Sequence, residues 1–228
     1  MKILRFFSPK NPTNIGAPEP IKNLLPEWYR KAETTFMVDG YEAAGLKKCA
    51  PYLDAMISGY ALVTPTDIFV SKNEDGSLKL GWNGSDISST FIKERPKESG
   101  GTMPRPAHHY PNHLVFGGFW GMKTPRGWSL LVTHPLNRDD LPFTTLSGII
   151  DSDKYSASGN IPFFIKEDFT GMIPAGTPIA QLIPIKRAKW SMIKNDKGLW
   201  DLEHVQGEAV RHSDTTYKKK NWVRKDYK

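Results

Sequence analysis

From residue 60 onward, short apolar runs alternate with residues that favour turns. The run ALVTPTDIFV is followed by the turn NEDG and by SLKLGW, an arrangement typical of a β-hairpin. Further strands are predicted at HLVFGGFW, GWSLLVTH, TTLSGII, NIPFFIK, TPIAQLIPIK and KWSMIK. Strand-like runs at short intervals, with Pro and Gly between them, indicate an antiparallel sandwich or barrel. We therefore expect a mainly β, jelly-roll-like fold.

Two short stretches before this region carry a helical pattern. In LLPEWYRKAE, Pro26 suits the first helical position, and Glu27 favours the positive end of the helix dipole. In CAPYLDAMISGY, four apolar residues recur at helical spacing and Gly59 is placed to end the helix. Two short N-terminal helices are therefore predicted.

Length and composition fit one domain. The chain has 228 residues, and 39% of them are hydrophobic, which is enough for a real core. Its 18 prolines and 19 glycines are spread along the chain, as many turns between short strands require. We expect an N-terminal arm at 1–22, a single β-rich domain at 23–210 and a basic C-terminal tail at 211–228.

The net charge of +7 is concentrated at the C-terminus. Residues 218–228 hold six Lys or Arg and one Asp. Such a tail suits contact with nucleic acid or with an acidic protein, and a solvated terminus that aids solubility is the alternative. The residues expected to make the contact are Lys218, Lys219, Lys220, Trp222, Arg224 and Lys225.

Cysteine content and hydropathy bear on whether the protein forms disulfides, is secreted or enters a membrane. Cys49 is the only cysteine, so an intrachain disulfide is excluded. The N-terminal segment becomes polar too soon for a signal peptide, and no apolar run approaches the length of a membrane span. We expect a protein without a membrane partner that is not secreted by a signal peptide.

Two stretches in the second half resemble motifs of the trimeric dUTPases and the related dCTP deaminases, which share a β-clip fold. The third motif of that family runs roughly Gly-x-Ile-Asp-x-x-Tyr-x-Gly, and the fourth runs Gly-x-x-Ile-Ala-Gln-Leu. The matching residues of the third motif are Gly148, Ile150, Asp151 and Tyr155, with Gly159 beyond, and those of the fourth are Gly176, Ile179, Ala180, Gln181 and Leu182. The resemblance implies a dUTPase-like β-clip fold.

The same resemblance implies a nucleotide site. In it Asp151 would act as the catalytic base, Tyr155 would pack on the sugar and base, and Gln181 would contact phosphate. Asn137 or Arg138 would replace the usual phosphate ligand, and Mg²⁺ would offset the phosphate charge. His134 has two interpretations: it positions phosphate, or, as we favour, it ties its loop to the sheet by hydrogen bonds.

Other family motifs are missing. The phosphate-binding Pro-Arg-Ser-Gly is replaced by His-Pro-Leu-Asn-Arg at 134–138, and no Gly-rich motif stands in the last residues. Lys154 separates Asp153 from Tyr155, which would move the Tyr to the other face of a strand. Because catalysis depends steeply on positioning groups, the partial motifs favour a protein without this activity.

Three histidines, His108, His109 and His113, stand close together in a Pro-rich loop. Three imidazoles can bind zinc, but no Cys or carboxylate stands nearby at ligand spacing. Loop histidines that form hydrogen bonds or stack are the favoured interpretation. No metal site and no resident cofactor are predicted, apart from Mg²⁺ under the hydrolase hypothesis.

The stretches PYLDAMISGY and HPLNRDDLPF also resemble proteins of tailed phages. Two hypotheses follow. The first is a non-enzymatic phage structural or accessory protein that contacts partners through its terminal arms, as a homo-oligomer or part of a larger assembly, in the virion or host cytoplasm. The alternative is a nucleotide-binding protein or dUTPase-like hydrolase, which requires Asp151 and Gln181 to converge.

Overall fold

The described part of the chain is mainly β. A computed structural model describes residues 2–8, 16–83, 91–96, 98, 103–117, 120–156, 158–194, 198, 218 and 222–228. Within these residues every strand pairing is antiparallel, and two short α-helices precede most of the strands. The prediction of a mainly β chain with two N-terminal helices is confirmed.

Among the described residues, the helices with defined bounds lie in the first 60 residues. They are α1 (Glu27–Lys31) and α2 (Ala50–Ile57), with 3-10 helices at Ile21–Leu24 and Leu46–Lys48. The first eight strands are β1 (Arg5–Phe7), β2 (Glu19–Pro20), β3 (Thr35–Val38), β4 (Tyr41–Ala44), β5 (Tyr60–Val63), β6 (Ile68–Lys72), β7 (Leu78–Trp82) and β8 (Ile92–Glu94). The next eight are β9 (Leu114–Phe116), β10 (Gly121–Lys123), β11 (Trp128–Thr133), β12 (Phe143–Thr145), β13 (Gly148–Ile150), β14 (Ile161–Ile165), β15 (Gly171–Ile173) and β16 (Pro178–Lys186).

Three larger sheets enclose the core. Their strand orders are β13-β11-β16-β5-β2, β12-β14-β9-β8 and β15-β6-β7, and two-stranded sheets form from β1-β10 and β3-β4. Phenylalanines from several strands fill the centre, and the rings of Phe116 and Phe163 stack with centroids 3.7 Å apart. The fully buried aromatic side chains are Phe91, Phe116, Phe143 and Phe163. Burial of this apolar area supplies the main drive to fold.

Hydrogen bonds from Gln181 on β16 join helix α2 to the five-stranded sheet, and the end of the helix is set by a glycine. Gly59 follows the helix with a φ of +83°. A Cβ at this position would lie 2.0 Å from the carbonyl oxygen of Leu182 on β16. Only glycine permits both this backbone angle and this approach, so the predicted helix end at Gly59 is confirmed.

Several predicted strands differ from the observed ones. The hairpin of β6 and β7, and the strands β14 and β16, are confirmed. Two predicted runs are each divided between different sheets: ALVTPTDIFV between β5 and β6, and TTLSGII between β12 and β13. The prediction of a strand at KWSMIK is wrong, since residues 189–194 form none and Trp190 is exposed. An apolar alternation makes a strand only where another strand is placed to pair with it.

No helix within the described ranges is long and apolar enough to cross a membrane.

Candidate functional site

Asp151, the predicted catalytic base, and Gln181, the predicted phosphate contact, lie on either side of strand β11. Asp151 directly follows β13, in which Ile150 is paired with Leu130 of β11. Gln181 on β16 is paired with Thr133, near the other end of β11. Asp151 is therefore level with Ser129 of β11, whereas Gln181 is level with Thr133. These two positions are four residues apart along the strand, which corresponds to about 13 Å. Within one protomer the carboxylate and the amide are not brought together.

The side chain of Gln181 is fully buried and fully hydrogen-bonded. Its Nε2 donates to the carbonyl oxygens of Ala55 at 2.8 Å and Ser58 at 2.7 Å, both in or next to α2. Its Oε1 accepts from the backbone N–H of Leu136 at 2.8 Å. Both amide hydrogens and the amide oxygen are thus used to join β16, α2 and the loop after β11.

Asp151 lies at the edge of an ion-pair cluster. Its Oδ1 accepts from the Ser129 hydroxyl at 2.6 Å and from Nη1 of Arg187 at 3.1 Å. The hydrogen bond from Ser129, with the charge of Arg187, holds the pKa of this carboxyl below its ordinary value. A carboxylate with a lowered pKa is a weaker general base, and one of its two oxygens, Oδ1, is already engaged.

Arg187 is the centre of that cluster, and sequence reasoning did not identify it. Its guanidinium forms a two-pronged contact with Asp153 and also donates to the carbonyl oxygen of Trp128 at 3.1 Å. Asp153 in addition accepts from the N–H of Gly127 at 2.8 Å. Arg187 and this N–H lower the pKa of Asp153 to about 2. The cluster fastens the turn after β13 to the end of β16.

Tyr155 stands apart from these groups. Residues 152–154 form a turn, so the predicted change of strand face does not apply. Its backbone N–H donates to the carbonyl oxygen of Asp151 at 3.0 Å, while the residue as a whole is 69% exposed. A stacking role for this ring stays a prediction.

The loop that follows β11 is fixed by its own polar side chains. His134 Nδ1 accepts from the N–H of Thr145 at 3.2 Å, and its Nε2 lies 3.1 Å from the carbonyl oxygen of Arg138. Burial lowers the pKa of His134, which keeps the ring neutral. Of its two interpretations, the tie between loop and sheet matches these contacts.

The proposed phosphate ligands in this loop also have partners inside the protein. Arg138 forms a bidentate pair with Asp140 at 2.8 and 3.0 Å. Asn137 has a φ of +60°, and its amide lies 3.5 Å from the carbonyl oxygen of Tyr52. To bind phosphate, Arg138 would have to give up its pair with Asp140, and Asn137 its contact with Tyr52.

The three histidines have separate environments. His109 is buried, with Nε2 at 2.9 Å from Thr144 Oγ1, and His108 lies exposed with Nδ1 at 3.5 Å from Glu167. His113 stacks on Phe164. No group of three metal-ligating side chains occurs in the described ranges. These contacts match the favoured interpretation of hydrogen bonding and stacking, and the expectation of no metal site stays a prediction.

The C-terminal residues pack onto the body of the protein. Trp222 Nε1 donates to Asp54 Oδ2 at 2.8 Å, and Lys225 Nζ lies 2.9 Å from the same oxygen. Lys218 and Arg224 are exposed. Lys219 and Lys220 lie outside the described residues. Contact of this tail with nucleic acid or an acidic partner stays a prediction.

An exposed hairpin that sequence reasoning missed follows α1. It is formed by β3 and β4, with Val38 paired to Tyr41 and Phe36 paired to Ala43. Paired residues share a face, so these four side chains form one apolar surface. Asp39 and Gly40 both have positive φ, as a two-residue hairpin turn requires. The Asp-Gly between two apolar runs was the signal available in the sequence.

No family model and no curated protein matches the chain. Among solved structures, a dUTPase from phage phi11 of S. aureus is similar, with 14% identity and a TM-score of 0.26. The likeness covers 46% of this chain and 96% of that one. Because identity and score are both low, the β-clip assignment and the nucleotide site stay predictions from the sequence.

Proposed function

We propose that the chain is a non-enzymatic structural or accessory protein of a phage, and that it works by assembling with further copies of itself. The observation that carries this proposal is the apolar face of the β3–β4 hairpin. On that face Tyr41 is 79% exposed, and Phe36 and Val38 are each about half exposed. A contiguous exposed apolar surface is a mark of an interaction site.

The hairpin also has free edges. It is a separate two-stranded sheet, with one partner for each strand among the described residues. Isolated two-stranded hairpins are marginally stable in water, and unpaired strand edges invite pairing with another chain. A partner that covers the apolar face and an edge would stabilise it.

The charges around the hairpin favour a second copy as that partner. Asp39 and Glu42 stand at or near its tip, whereas Lys47 and Lys48 follow its base, where they outnumber the one carboxylate, Glu33. In a two-fold dimer of antiparallel hairpins, the tip of one hairpin lies against the base of the other. Opposite charges then meet, which is the self-complementarity that a two-fold interface needs.

The contacts of the family-like residues support the non-enzymatic part of the proposal. The Gln181 amide is used to join three elements, and Asp151 is held by Ser129 and Arg187. This part is tested by incubating the protein with dUTP and Mg²⁺. Release of pyrophosphate that disappears in Asp151→Asn would contradict it.

Assembly is tested by sedimentation velocity over a wide range of protein concentrations. We expect concentration-dependent association, weakened at least about tenfold in Tyr41→Lys and in Val38→Lys, because each places a charge in the apolar face. Met172→Lys is the matched control, since Met172 is also exposed on a strand but belongs to a different sheet from the hairpin. A chain that stays monomeric throughout, or hairpin variants that associate like Met172→Lys, would rule the proposal out.

A further inference from the structure

A cavity of about 360 Å³ opens where the two ends of the chain meet the five-stranded sheet. Its apolar lining comes from Ile3 and Leu4 near the N-terminus, Tyr60 on β5, Trp128 on β11 and Tyr227 near the C-terminus. The volume lies within the range of roughly 300–1,000 Å³ that is usual for small-molecule sites. Three of the lining side chains, Tyr60, Trp128 and Tyr227, are aromatic.

The wall is fixed by contacts that do not involve a ligand. The ring of Tyr60 meets the ring of Tyr227 edge to face with centroids 6.0 Å apart, and it meets the ring of Phe6 in the same manner at 5.6 Å. The Tyr60 hydroxyl donates to the carbonyl oxygen of Lys228 at 3.1 Å. Burial raises the pKa of Tyr60, so its phenol stays neutral.

The charged residues of the lining are mostly basic. Lys225 is held by Asp54, and the carboxylate of Asp226 lies 3.7 Å from Lys22 and 3.5 Å from Lys228. Lys2 and Arg224 also line the cavity. Among the described residues, neither of these two cations has an ion-pair or hydrogen-bond partner. The cavity thus offers two positive charges without an ion-pair partner among the described residues, beside an aromatic wall and the lysine-paired carboxylate of Asp226.

We propose that this cavity binds a small aromatic monophosphate. Arg224 and Lys2 would hold the phosphate, since guanidinium and ammonium groups are the preferred protein partners of phosphate oxygens. The planar body of the ligand would pack against Tyr60 and Trp128. The site shares no lining residue with the β3–β4 hairpin, so it does not depend on self-assembly.

The test is isothermal titration of the full chain with phenyl phosphate, phenol and inorganic phosphate. We expect phenyl phosphate to bind at least about tenfold more tightly than either fragment, because it alone uses both the cations and the aromatic wall. Adenosine monophosphate is a further probe. Tighter binding than phenyl phosphate identifies a nucleotide as the ligand, and weaker binding identifies a simple aryl phosphate.

Variants locate the binding. Arg224→Gln and Lys2→Gln should each weaken phenyl phosphate binding about tenfold, with an unchanged melting temperature because neither side chain has a partner among the described residues. Lys79→Gln, an exposed lysine on β7, is the matched control and should bind as the original chain does. The proposal is overturned if no aromatic phosphate binds at millimolar concentration, if inorganic phosphate binds as tightly, or if the Arg224 and Lys2 variants match the control.

Discussion

A single buried amide joins three parts of this molecule. Gln181 stands in a strand whose other polar side chain is the terminal Lys186. It is 0% exposed, yet every polar atom of its side chain has a partner. A buried polar group without partners is costly, whereas a satisfied one fixes the relative position of the elements it joins. The residue that most resembled a phosphate ligand thus acts within this chain as a structural connector.

Replacing this amide should destabilise the fold. Gln181→Leu leaves the N–H of Leu136 and two carbonyl oxygens without their partner, so we expect a loss of about 3 kcal/mol in the free energy of unfolding. Urea denaturation measures it. Asn112→Leu removes a partly buried amide whose hydrogen bond to Glu94 is exposed to solvent, and it should cost under about 0.5 kcal/mol. Equal stability of the two variants would contradict the structural role of Gln181.

His113 makes stability depend on pH. Both of its ring nitrogens are buried without a hydrogen-bond partner among the described residues, and burial lowers its pKa below 6.5. Below about pH 6.5 the unfolded chain therefore binds more protons than the folded one. The stability is fully present above that pH and falls as the pH drops towards the lowered pKa. His134 contributes with the same sign.

The variant His113→Phe keeps the ring that stacks on Phe164 and removes the proton-binding nitrogens. Thermal unfolding at about pH 7.5 and pH 5.5 should show a smaller fall in melting temperature for the variant than for the original chain. A fall that is identical in both would show that His113 does not titrate in the folded state as described.

At the scale of elements, the hairpin of β3 and β4 depends on its two-residue turn. Gly40 has a φ of +83°, where a β-branched residue is strained by roughly 1–2 kcal/mol. Gly40→Val should weaken self-association while leaving the melting temperature of the body nearly unchanged, because the exposed hairpin contributes little to the core. Sedimentation and calorimetry measure the two effects.

Gly81→Val is the control for that variant. Gly81 lies on strand β7, has no positive φ, and has open space where the Cβ of a larger residue would stand. This variant should associate like the original chain. Normal association of Gly40→Val would mean that the turn geometry is irrelevant to assembly.

Sequence reasoning succeeded where the signal was local. Helix α2 has its apolar spacing and its terminal glycine side by side, and β6 and β7 are joined by a short turn. One local signal, the Asp-Gly turn between β3 and β4, was missed. The other failures arose where a distant partner decides which contacts a side chain makes. The partners of Gln181 lie 45 to 126 residues away, and Arg187 lies 34 residues from Asp153. No spacing within one segment reveals such contacts.

At the scale of the whole molecule, both ends of the chain return to the body. β1 pairs with β10, and the last residues contact α2 and β5. Asp54 is the centre of the C-terminal contact, because its Oδ2 accepts a hydrogen bond from Trp222 and forms an ion pair with Lys225. The described parts of the two arms therefore contribute to the structure of the protomer.

The contact at Asp54 can be measured by a double-mutant cycle. Asp54→Ala and Trp222→Phe should each destabilise the chain, and together they should cost less than the sum by about 1 kcal/mol, since both remove the same hydrogen bond. Chemical denaturation of the four proteins gives the coupling. If the free-energy costs of the two substitutions add strictly, the tail does not contact α2 in solution.

The central claim is that copies of this chain assemble through the β3–β4 hairpin, and hydrogen–deuterium exchange at low and high protein concentration tests it most directly. An uncovered two-stranded hairpin exchanges its amides quickly. We expect the amides of residues 35–44 to become protected as concentration rises, while those of β11 and β16 stay equally protected throughout. Fast exchange of residues 35–44 at every concentration would contradict the claim.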